Sequence, residues 1–212
     1  MPIIKKHLPV KAVTSGPNHH FFGYFDKFPW DKSGRYLLSQ ETGFTARQPL
    51  PGEKAVLGMI DLEDNNTFIP LAESDAWCWQ QGCMFQWLND AETKVIYNDR
   101  EGDHFVSRIL DVKTGETQTL CRPVYCLSPD GKWALSINFS RLDRERPGYG
   151  YPGATDKNEK VNVPDDEGIW LIDLKNNTSK LINLAHRQMI QRTRRCLHCI
   201  AIDSHTAVCT ND

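Results

Sequence analysis

The stretch His19-His20-Phe21-Phe22-Gly23-Tyr24-Phe25-Asp26-Lys27-Phe28-Pro29-Trp30-Asp31-Lys32-Ser33-Gly34-Arg35-Tyr36-Leu37-Leu38 decides the fold. It reads as an aromatic strand, a tight turn at Asp31–Gly34 and a second strand. Gly34 can take the positive φ that closes such a turn, and Asp31 can bond the turn's own backbone. The device recurs twice. Asn89-Asp90 separates the apolar runs Cys83–Leu88 and Lys94–Asn98, and Ser128-Pro129-Asp130-Gly131 separates Val124–Leu127 from Lys132–Asn138.

Working outward, each unit gains a second hairpin. Ile60-Asp61-Leu62, Leu110-Asp111-Val112 and Ile172-Asp173-Leu174 each precede a polar turn and a fourth short strand. Four strands (a, b, c, d) repeated at roughly 40–50 residues predict the blades of a β-propeller; a β-sandwich and separate hairpin modules are the alternatives. The expected class is all-β, a partial propeller of three four-stranded blades with an irregular C-terminal tail. A lead-in, 1–16, precedes blades at 17–75, 76–122 and 123–185, the third with a long b–c insertion over 140–168, and the tail is 186–212. Three blades do not close a ring, and open edges invite pairing with another chain. The expectation is therefore a longer parent or self-association.

The tail departs from this grammar. Arg192-Thr193-Arg194-Arg195-Cys196-Leu197-His198-Cys199 leads to His205 and Cys209. It reads as a truncation or a shifted frame. The alternative is a zinc segment built on Cys196-x-x-Cys199, though one such pair without a second is a weak signal.

Composition narrows the function. With 25 Lys+Arg against 27 Asp+Glu, the net charge of −2 gives no drive toward nucleic acid or an anionic membrane. No apolar run approaches the roughly 18 residues of a membrane span, and no apolar segment follows Lys5-Lys6 as in a signal peptide. Seven cysteines in no disulfide-like pattern fit reduced thiols, so the expected compartment is the cytoplasm.

In a propeller the loops leading into strand a and those joining b to c share one face, where variable loops on a rigid scaffold carry sites. Here those segments hold His19, His20, Trp79, Gln80, Gln81, Asn98, Asp99, Arg100, Arg141 and Tyr149. Aromatic rings stack on sugar faces, amides satisfy hydroxyls, and the arginine fork suits a carboxylate. The expected ligand is a polar carbohydrate. Each residue also has a structural reading: Trp77 and Trp79 on one strand face as core, Asn98-Asp99-Arg100 as a turn with a local ion pair, the 141–146 charge run as a solvated loop.

His20-Phe21-Phe22-Gly23-Tyr24-Phe25-Asp26-Lys27, Trp79-Gln80-Gln81-Gly82, Tyr97-Asn98-Asp99 and Arg146-Pro147-Gly148-Tyr149-Gly150-Tyr151 resemble an uncharacterised branch of bacterial TolB-like or WD40-like propellers related to the oligogalacturonate lyases. The resemblance spans about Gly16 to Leu184. It implies β-elimination on uronate oligosaccharides with a divalent metal such as manganese, whose ligands in those lyases lie in a C-terminal part that this chain does not match. In that reading Arg141 or Arg100 holds the substrate carboxylate, His20 is base or metal ligand, and Gln81 and Asn98 orient hydroxyls. His19, Trp79, Gln80, Asp99 and Tyr149 complete the substrate-binding set. The alternatives are a non-catalytic propeller binding a glycan or a protein, and an inactive fragment.

Overall fold

The computed structural model describes residues 10–88 and 93–184 and two further strands, Ile200–Ile202 and Ala207–Cys209. Three antiparallel four-stranded sheets follow one another, each with its strands in chain order. The first is β1 (His19–Phe21), β2 (Tyr36–Thr42), β3 (Ala55–Asp61) and β4 (Thr67–Ser74). The second is β5 (Gln86–Trp87), β6 (Lys94–Glu101), β7 (His104–Asp111) and β8 (Thr117–Leu120). The third is β9 (Cys126–Leu127), β10 (Trp133–Ser136), β11 (Gly168–Asp173) and β12 (Thr178–Leu184), with helix α1 (Phe139–Glu145) between β10 and β11. β13 (Ile200–Ile202) and β14 (Ala207–Cys209) form a separate hairpin.

The sheets stack as blades because the central one is apolar on both faces. Strand alternation sends Val95 and Tyr97 toward Leu38, Ala55 and Leu57 of the first blade. Ile96 and Ile109 go the other way, onto Val124, Ala134 and Ile172 of the third. Three meanders packed face to face make the chain a partial β-propeller. No helix among the described residues is long and apolar enough to cross a membrane.

The turns follow the sequence logic. Gly34 and Gly131 close the a–b turns at positive φ, with Asp31 accepting from the Tyr36 amide at 2.8 Å and Asp130 from the Lys132 amide at 3.2 Å. The Asn89-Asp90 turn lies outside the described residues. In the c–d turns the terminal aspartates fold back on the following amides: Asp61 on Glu63, Asp111 on Lys113, Asp173 on Lys175 and Asn176. All three carboxyls are held below their ordinary range, Asp61 chiefly by the Arg35 guanidinium and the other two chiefly by backbone amides. A depressed folded-state value means stability present above the unfolded carboxyl's pKa of about 3.9 and lost as pH falls through the folded value. The urea midpoint is therefore expected to fall steadily below about pH 4. Replacing all three by Asn should lower the neutral midpoint and flatten that decline; an unchanged acid limb in the triple variant contradicts the assignment.

Three expectations are corrected. The first aromatic strand is broken after Phe21, which pairs with Gln40, and the ladder resumes only at Trp30, opposite Leu37. Residues 22–29 leave the sheet because the buried Gln40 side chain substitutes for the ladder: its amide donates to the Phe22 carbonyl and accepts from the Cys83 amide at 3.1 Å. The second b–c connection is also not the loop expected to hold Asn98, Asp99 and Arg100. Strands β6 and β7 run through Asn98-Asp99-Arg100 and turn on Gly102, whose φ of 59° suits a two-residue hairpin. Finally, the 140–168 insertion begins as helix. Asn138 caps α1 by accepting from the Arg141 amide at 3.0 Å, and Phe139 and Leu142 bury its inner face.

Candidate functional site

The 22–29 excursion decides where a site forms. Gly23 passes so close to the Gln81 backbone that a Cβ there would sit 3.0 Å from its carbonyl oxygen. The chain then reaches the third blade. The Tyr24 ring lies 6.3 Å from that of Tyr149, and the Lys27 ammonium lies 6.0 Å from the Tyr125 ring centre while pairing with Asp26 at 2.7 Å. Residues from all three blades thus converge on the 22–29 excursion.

The insertion supplies the opposite wall. Asp156 anchors it, accepting from Arg144 at 2.7 Å and Asn138 at 3.1 Å. Gly150 is wedged beneath α1, and the Tyr151 ring stacks on Phe139 at 4.3 Å. This fixes Arg146-Pro147-Gly148-Tyr149 at the mouth. The Arg146 guanidinium lies 3.6 Å from the Tyr149 ring centre, with its buried Nη1 making no hydrogen bond. Gln81 is 3% exposed. Its Nε2 donates to the Tyr125 hydroxyl at 3.5 Å, and its Oε1 has no partner. The Tyr24 hydroxyl is held above its ordinary pKa by burial and by its interactions with Tyr149, with Arg146 opposing. Phe25, 77% exposed, lies 4.5 Å from the Tyr24 ring. Two cations, one of them paired with Asp26, three phenols, an amide and an exposed aromatic ring are therefore linked by a chain of neighbouring contacts.

The residues expected from sequence divide. Gln81 and Tyr149 are in this cluster. Gln80 is exposed beside it. Trp79 is half-buried in an aromatic group with Phe21, Phe44 and Trp77, and its indole donates to the Arg47 carbonyl at 2.5 Å. Both tryptophans pack there although 76–82 is not the strand whose alternation was expected to align them. His19 is exposed on β1. His20 projects from the blade-1 face that points away from the second blade, with Nε2 3.0 Å from a Glu41 oxygen and its ring edge-on to Phe68.

Four others are already committed within the fold. Arg100 pairs with Asp75 at 2.5 Å and reaches the Gly102 and Gly153 carbonyls. Arg141 pairs with Glu167 at 3.3 Å and donates to the Val161 carbonyl at 2.6 Å. Asp99 accepts from Arg108 at 2.6 Å. Asn98 is fully buried with both ends of its amide occupied. Arg146, Tyr24, Lys27 and Tyr125 were not singled out as site residues, although Tyr24, Lys27 and Arg146 stand inside motifs quoted above. The signal for Arg146 is adjacency to Pro147-Gly148, a turn that redirects its side chain out of the charge run of α1.

No group of three or more His, Cys, Asp or Glu among the described residues is arranged to hold a metal ion. The resemblance places the manganese ligands in a part that this chain does not match, and His20, the one metal ligand it suggests here, lies against Glu41 and Phe68, so the described residues do not fit that metal and no step is derived through one. The Cys196–Cys199 zinc segment lies outside the described residues.

No protein-family model matches the chain, and no curated protein matches it. Among solved structures it is similar to TolB from Acinetobacter baumannii, at 12% identity and a TM-score of 0.44, over 82% of this chain and 35% of that one. It is similar also to the AtxE2 isopeptidase in its apo form, at 12% identity and a TM-score of 0.44, over 84% of this chain and 31% of that one. The chain thus spans about a third of the length of these structures.

Proposed function

We propose that this propeller segment binds an acidic carbohydrate, of the uronate oligosaccharide class, at the mouth formed by Tyr24, Gln81, Arg146 and Tyr149. The observation that carries this reading is the state of Arg146. Arg35, Arg47, Arg100, Arg108, Arg141 and Arg144 each hold a carboxylate of the chain. Arg146 instead lies on a tyrosine ring with a buried donor unspent. A buried guanidinium donor without a partner is costly, and a ligand carboxylate would supply the missing acceptor. The exposed Phe25 face offers a stacking surface for a sugar ring, and the free Gln81 oxygen would accept from a hydroxyl.

The lyase relation inferred from the resemblance belongs to this proposal as its second arm. Elimination next to a carboxylate needs a base beside the acidified carbon and positive charge on the carboxylate. Arg146 supports the second requirement. His20, the base expected from sequence, faces elsewhere, so binding without turnover is the favoured form.

Calorimetric titration with trigalacturonate is expected to give saturable binding, with Kd on the order of 10–100 μM. Arg146→Gln should weaken it at least about tenfold, the worth of one charge-assisted fork. A neutral galactose trimer should bind no better to the parent chain than trigalacturonate binds to that variant. Equal affinity of parent and variant for trigalacturonate overturns the reading. Growth of the unsaturated product's absorbance would convert it from binding to catalysis.

A further inference from the structure

A second concavity lies behind the same strip of chain. A cleft of about 330 Å³ opens between the 43–54 loop of the first blade, the start of the second and the insertion of the third. Gln48, Pro49, Cys78, Asp143, Pro147 and Pro152 line it. Its volume is at the lower end of small-ligand sites, and its lining is mostly apolar with a few polar groups, as such sites require. The proline rings give stiff walls. Gly148, at a φ of 89°, brings the floor against the Gln48 amide, 3.2 Å from where a Cβ would stand.

The cleft has one unbalanced charge. Asp143 is half-buried, and no hydrogen bond or ion pair reaches its carboxylate among the described residues. Arg144, which also lines the cleft, is spent on Asp156 and Glu145. The Cys78 thiol is pushed up to about 12 by burial and is neutral at physiological pH. Burial alone moves the Asp143 carboxyl upward, and no charge of the chain opposes it. An ionised carboxylate against apolar walls lacks the counter-charge that such groups ordinarily have.

We infer that this cleft is a binding site for a small alkylammonium ligand, its ammonium on the Asp143 carboxylate and its aliphatic stem between Pro49, Pro147 and Pro152. This site is independent of the sugar reading, since it uses none of Tyr24, Gln81, Arg146 or Tyr149 side chains. Gln48 lines the same cleft, and its amide oxygen is of the type that accepts a second ammonium hydrogen.

The probe is n-butylammonium chloride, followed by the amide resonances of Gly148 and Gly150 in the full chain. Saturable shifts are expected with Kd on the order of 1 mM, what a few heavy atoms with one charged contact can reach. n-Butanol, which keeps the stem and loses the charge, should bind at least about tenfold more weakly. Asp143→Asn should weaken butylammonium binding by a similar factor while trigalacturonate affinity is unchanged. Butanol binding as tightly as butylammonium, or an unaltered Kd in Asp143→Asn, overturns the proposal. So does the absence of saturable shifts up to about 50 mM, well above the expected Kd. The butanol comparison needs no variant and stands even if Asp143→Asn misfolds.

Discussion

Replacing Asn98 by leucine is expected to lower the stability of the chain by about 3–5 kcal/mol, as removal of a fully bonded buried polar hub does. Asn98 is on β6 and is inaccessible to solvent. Its Nδ2 donates to the Val124 carbonyl at 2.8 Å and the Tyr151 hydroxyl at 3.0 Å. Its Oδ1 accepts from the Ser107 hydroxyl and the Val124 amide, both at 2.7 Å. The backbone of the same residue is bonded to Cys83 and Ser74. Leucine has about the same volume but leaves the Val124 carbonyl and the Tyr151 hydroxyl buried without partners, while Ser107 still serves the Val124 amide. The three joined places are the second blade, the first strand of the third and the insertion, so the loss is shared among blades. The urea midpoint should fall by about 1.5–2 M for a chain of this size. A fall worth less than about 1 kcal/mol would mean that the hub is not fully formed.

The second large effect is expected at Gly150. An added methyl group would run into the Asp143 amide and the Phe139 carbonyl on the underside of α1, both backbone atoms that no side-chain motion can clear. Gly150→Ala must therefore lift the helix or unseat the Tyr149-Gly150-Tyr151 strip. A cost of about 3 kcal/mol or more is expected, at the upper end of overpacking changes because no flexible group yields. Trigalacturonate and butylammonium binding should both be lost, since the strip carries Tyr149 and Arg146 on one side and the cleft floor on the other. Gly115→Ala is the control. It sits at a φ of 77° in the open c–d turn of the second blade with nothing within reach of a Cβ, and should cost only about 1 kcal/mol with both affinities intact. Equal effects at the two glycines would contradict the collision at Gly150.

The three blades were legible because their signal is local. An aspartate closing strand c in all three blades, and a glycine at positive φ closing the a–b turn of the first and third, are read from four or five adjacent residues, and Asp61, Asp111 and Asp173 fill the same role in each blade. The broken first strand was not legible. Its cause is Gln40, which reaches across to Phe22 and Cys83, residues 18 and 43 positions away. A glutamine in an apolar strand gives no hint of which backbone groups it will take. The membership of the candidate site was not legible. Arg100, Arg141 and Arg146 are alike in sequence, and only the fold shows that Asp75 and Glu167 meet the first two while Tyr149 meets the third. Asn98 shows the converse: a polar residue expected to face a ligand is consumed in joining two blades.

The excursion at residues 22–29 has a consequence for how the array holds together. In a row of repeats each unit ordinarily touches only its neighbours, and stability is a chain of pairwise terms that can be broken one at a time. Here Tyr24 meets Tyr149 and Lys27 meets Tyr125, contacts that skip the middle unit. The first and last of the three units are thereby coupled directly, and neither can come apart without opening the point where Arg146 lies. A ligand held between Tyr24 and Arg146 would then act as a clasp on the whole row, and by mass action its binding energy would count against unfolding of all three units together.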